Sequence, residues 1–112
     1  MKDQTRDRLR EAAEHHHKTL AEAKSIMTDL ILTELEIGLQ FAELARDSFL
    51  TKSNSAARRQ QDGAVRAYQA VEKFLPRSAP TNEQRRLINK QLAELKAAIS
   101  DLENLSKDAA DW

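Results

Sequence analysis

The segment IMTDLILTELEIGLQFAELARDSFL, residues 26–50, reads as one helix carrying two apolar stripes side by side. Met27, Leu30, Ile37, Phe41 and Leu44 form the first, with Glu34 in the place between Leu30 and Ile37. Ile31, Leu35, Gly38, Ala42, Ala45 and Phe49 form the second, which joins from Ile26 onward. Both step by alternating intervals of three and four, a helical period and not the period of two of a strand. Two adjacent stripes make a face wide enough to pack on two neighbours.

Toward the N-terminus only the first stripe continues, through Ala23, Leu20, Ala13 and Leu9, with a polar gap at His16. This is a narrow seam of coiled-coil period. Residues 1–37 contain neither Gly nor Pro, so the spacing predicts an unbroken first helix over about residues 4–50. Toward the C-terminus, Thr51-Lys52-Ser53-Asn54-Ser55 reads as a turn with several candidate N-caps. A second helix over about 54–75 presents Ala57, Gln61, Ala64, Tyr68, Val71 and Leu75 on one face. Pro76 ends it, lacking the amide donor and biasing Leu75 away from helical angles. After a loop from Pro76 to Pro80, Thr81 and Gln84 form a capping box. The third helix, about 81–107, places Ile88, Leu92, Leu95, Ile99 and Leu102 on one face and frays near Asp108 to Trp112. The expected fold is all-α: one domain over residues 1–112, a three-helix bundle with a long N-terminal helix and an antiparallel hairpin.

Composition agrees. Charged residues are 32% of the chain and hydrophobic ones 40%, as in long helices, while aromatics at 4% argue against a β-sandwich. With no Cys there is no disulfide framework and no thiolate metal site. The polar N-terminal stretch lacks the apolar centre of a signal peptide, and no run approaches a membrane span. The cytoplasm is the expected compartment. Residues 26–50 carry Asp29, Glu34, Glu36, Glu43 and Asp47 against Arg46, while residues 51–80 carry an excess of Arg and Lys. This opposition favours antiparallel pairing of the first two helices and selects their register.

Residues 37–76 resemble a single tetratricopeptide repeat. Ile37-Gly38-x-x-Phe41 stands where that family has Leu-Gly-x-x-Tyr, and Ala64, Tyr68, Val71 and Pro76 keep the spacing of its second helix. Glu34 replaces a bulky aromatic, and fourteen extra residues lie between Phe41 and Ala64, two whole turns per arm. The scaffold is also similar to the three-helix microtubule-interacting-and-transport domain. The resemblance implies a hairpin core of Ile37, Gly38, Phe41, Ala64, Tyr68 and Val71, with Gly38 and Ala64 allowing close approach and Phe41, Ala64 and Tyr68 largely buried. It also implies binding of a helix or extended peptide in a groove between helices.

No constellation points to catalysis. His15, His16 and His17 are sequence neighbours that point about 100° apart on a helix, so they cannot share one ion. Glu14 and His17 lie one turn apart, as in di-iron bundles, but no second such pair exists. Neither a metal nor a cofactor is expected. Glu34 and Glu36 lie on different faces, no nucleophile arrangement is present, and no glycine-rich loop could cradle a phosphate. The net charge is zero and no aromatic interleaves with Arg58, Arg59, Arg77, Arg85 and Arg86, so nucleic acid is not expected as a partner, and without an apolar span neither is a membrane. The expected function is a non-enzymatic interaction or scaffolding module. The alternative is an oligomeric bundle holding a metal or small ligand at His16 and Glu34, the two polar residues on the seam.

Chain geometry adds one expectation. A first turn near Lys52 sets Gly38 level with Arg66 and Leu75 level with Asp29, and a second turn near Ser78 starts the third helix beside Asp29. Residues 1–28 then project roughly 40 Å beyond the bundle. The seam Leu9, Ala13, His16, Leu20, Ala23 and Met27 is thus expected to form a homodimer through the first helix, the alternative being a kink near residues 24–28 that folds the segment back.

Overall fold

The computed structural model describes the backbone of residues 2–110 and side chains from Gln4 to Ala110. It contains α1 (Lys2–Leu50), α2 (Asn54–Phe74), a 3₁₀ turn (Leu75–Arg77) and α3 (Asn82–Ala110). The described residues form no strand. The chain is an all-α three-helix bundle with a long N-terminal helix. α1 runs through residues 24–28 without a break. Its 49 residues account for the longest dimension of the molecule, 80 Å against 25 and 15 Å. No helix among the described residues is long and apolar enough to cross a membrane.

The second stripe of residues 26–50 makes the core. Ile31, Leu35, Ala42, Ala45 and Phe49 are buried against Ala57, Ala64 and Val71 of α2 and Ile88, Leu95, Leu102 and Ala109 of α3. Ile26 does not belong to it, being 67% exposed; the first buried position is Thr28. Gly38 sits where all three helices meet. A Cβ there would lie 2.8 Å from Leu95 Cδ2 and 2.9 Å from the Ala67 Cβ. Only glycine permits this approach, which offsets its poor helix propensity.

The turn after α1 is closed by backbone hydrogen bonds. The Ser53 amide donates to the Ser48 carbonyl at 2.8 Å and the Lys52 amide to the Phe49 carbonyl at 3.1 Å. This is the Schellman pattern, with Lys52 at φ 60° in the left-handed position that glycine usually fills. Ser53 is consequently committed to the end of α1, and none of its side-chain atoms caps α2. The Asn54 Oδ1 is buried without a partner. The expected N-cap at this turn is therefore replaced by a C-cap. Across the hairpin, the Ser48 hydroxyl donates to Gln60 Oε1 at 2.7 Å.

At the second turn the capping box is present. The Gln84 amide donates to Thr81 Oγ1 at 3.1 Å and the Thr81 amide to Gln84 Oε1 at 2.9 Å. Leu75 to Arg77 complete a 3₁₀ turn around Pro76, so the connection is shorter than a free loop. α3 does not fray at Asp108: it continues to Ala110 because Ala109 is buried at 6% exposure. Trp112 lies outside the described residues.

Candidate functional site

The first stripe of α1 is bare in its N-terminal half and only partly covered within the bundle. Leu9 is 67% exposed and Leu20 45%; within the bundle, Leu30, Ile37, Phe41 and Leu44 are still 36–50% exposed. Ala13, His16 and Ala23 are exposed as well, and Met27 is half-buried. Every residue from Gln4 to Ile26 is exposed. Burial along α1 begins at Met27 and Thr28, where the Ala79 amide of the second turn donates to Thr28 Oγ1 at 3.2 Å. The N-terminal half of α1 is therefore a bare arm.

Two expected core residues are not core. Ile37, 38% exposed, and Phe41, 36% exposed, line the outer α1–α2 groove together with Glu34, Arg59, Gly63 and Arg66. The reason is the size of what lies between the helices. Gly38, Ala64 and Ala67 bring α2 so close on the second stripe that the first stripe is pushed to the rim. Phe41 keeps one face on α2: a Cβ at Gly63 would lie 3.0 Å from its ring. Tyr68 is half-buried and lines the α2–α3 groove with Val65, Gln69 and Ile99. Gly38, Ala64 and Val71 are buried.

His16 and Glu34 lie eighteen positions apart on one straight helix, about 27 Å, so they do not meet within one chain. No group of three His, Cys, Asp or Glu among the described residues could hold a metal ion. A third groove, between α1 and α3, is lined by Leu39, Ala42, Glu43, Arg46, Asp101 and Leu102.

Thr28, invisible to the apolar pattern, is the one buried polar side chain among the described residues. It continues the second stripe one step below Ile31, so the spacing contained the signal, but a hydroxyl does not register as apolar. Its Oγ1 donates to the Lys24 carbonyl at 3.0 Å and accepts from Ala79, which pins the second turn to α1.

Comparison with protein-family models, with characterised proteins and with solved structures finds no match for this chain.

Proposed function

We propose that the chain is a non-enzymatic interaction and scaffolding module, and that its first partner is a second copy of itself held through α1. One observation carries this reading: the apolar stripe from Leu9 to Leu44, bare as far as Ala23 and still partly exposed along the bundle. Each leucine-sized side chain kept in water forgoes roughly 1.5–3 kcal/mol of burial. Residues 6–26 are exposed along their whole length, and a helix draws most of its stability from packing of its apolar face. A second helix on the stripe supplies what both lack. The likeness of residues 37–76 to a tetratricopeptide hairpin supports a binding role in the same direction. The ligand-holding alternative has no comparable observation behind it.

Capture between differently tagged copies tests the proposal. A tagged chain is expected to retain untagged wild-type chain and to lose it when both copies carry Leu9→Glu and Leu20→Glu. These positions are exposed in the monomer, so the substitutions leave the bundle folded. Failure of wild-type chain to be retained at tens of micromolar overturns the reading.

A further inference from the structure

We infer that the two copies pack antiparallel along α1 in one register, with the residue numbers of facing positions adding to 50, so that His16 of each chain meets Glu34 of the other. The inference rests on the self-association proposed above and adds its geometry.

Antiparallel seams of this period pair each position of one set with the alternate set on the partner. The register stated here stacks Leu9 on Phe41, Ala13 on Ile37, Leu20 on Leu30 and Ala23 on Met27, each layer occurring twice about the two-fold axis. The remaining layer joins the two polar interruptions. An imidazole N–H then donates to a carboxylate, and neither is left facing hydrocarbon. A slip of seven residues in one direction sets His16 on Phe41 and Glu34 on Ala23; a slip in the other sets Glu34 on Leu9 and His16 on Met27. A parallel pair sets Glu34 against Glu34. Only the stated register sets the two polar seam positions on each other, at the rim of the groove that Arg59 and Arg66 line beside Glu34, and polar seam residues are known chiefly for fixing register.

Length and charge agree with it. The bare arm before Thr28 matches in length the stretch of α1 that carries the bundle, residues 28–50. In the antiparallel pair each arm therefore covers the open stripe of the other chain's bundle, and the two bundles sit at opposite ends. Leu44 meets the aliphatic stem of Arg6 there. The arm has a small basic excess over residues 2–24, while residues 26–50 are acidic by four charges, so each arm lies on a helix of opposite sign.

Two measurements on the full chain decide it. The sequence has no Cys, so Arg8→Cys provides a single spin-label site, on an exposed residue away from the seam. The register sets the two labels about 50 Å apart; slips by seven give roughly 40 or 60 Å, and a parallel pair brings them within roughly 20 Å. In the second measurement, His16→Glu alone and Glu34→Lys alone each weaken the dimer by roughly tenfold, and the double variant recovers most of that loss. A dimer with a short label distance, or with additive effects of the two substitutions, overturns the register while leaving self-association standing. A strict monomer with wild-type sequence overturns both.

Discussion

Gly38 and Gly63 both sit where helices cross, and an added methyl group meets a different neighbour at each. At Gly38 it meets the Ala67 Cβ at 2.9 Å, which no rotamer can move, and the fully buried Leu95. Gly38→Ala therefore forces the helices apart, and a loss of about 1–3 kcal/mol outweighs the roughly 1 kcal/mol gained in helix propensity. At Gly63 the methyl meets the ring of Phe41, which is 36% exposed and free to tilt outward. Gly63→Ala is expected to be near neutral. Urea denaturation of the two variants separates these outcomes; equal effects contradict the crossing at Gly38. Lys52 holds a left-handed φ of 60°, so Lys52→Gly should raise stability by about 0.5–1 kcal/mol, seen as a higher melting temperature. Thr28→Val keeps the shape but removes the acceptor for Ala79, and should cost about 1 kcal/mol. Phe41→Ala should cost the monomer less than the roughly 3–5 kcal/mol of a fully buried phenylalanine, because one face of the ring is already in water.

At the scale of elements, α1 contains two helices' worth of behaviour in one. From Thr28 to Leu50 it is fixed by packing on α2 and α3; from Arg6 to Ile26 every side chain is exposed. Amide exchange should therefore divide it near Thr28. Residues 4–26 are expected to exchange fast in dilute solution and to gain protection as concentration rises, while residues 31–49 stay protected throughout. Protection of the arm that is independent of concentration contradicts this. The division was legible in the spacing, since the second stripe ends where the arm begins. All six of its positions from Ile31 to Phe49 are buried, and the capping box at Thr81 and Gln84 forms. Helical period reports which face is apolar. It does not report which of two adjacent stripes a neighbour chooses, and that choice decided Ile37 and Phe41. The small side chains at Gly38, Ala64 and Ala67 made the second stripe the closer fit. The left-handed turn at Lys52 was hidden because the residue is not glycine, and the polar pin at Thr28 because it is not apolar.

The whole molecule is far from the shape its length would give a sphere-like domain. Its Cα radius of gyration is 20.8 Å, whereas a compact chain of this size has about 13 Å. The excess is the arm, and the arm is apolar along one side. Small-angle scattering of the Leu9→Glu, Leu20→Glu chain should therefore show an elongated monomer or, where the bare arm melts, a folded bundle with a loose tail; a compact sphere-like particle contradicts the unbroken α1. Removing residues 1–26 deletes no buried side chain described in the bundle, so the remaining body should still unfold cooperatively while losing its means of self-association. The proposed function depends on the seam from Leu9 to Leu44 being an interface between copies. Sedimentation equilibrium of the intact wild-type chain at tens of micromolar tests that directly. A particle of twice the chain mass of 12.7 kDa, dissociating on dilution, is expected; a particle of single chain mass at every concentration would rule out the dimer.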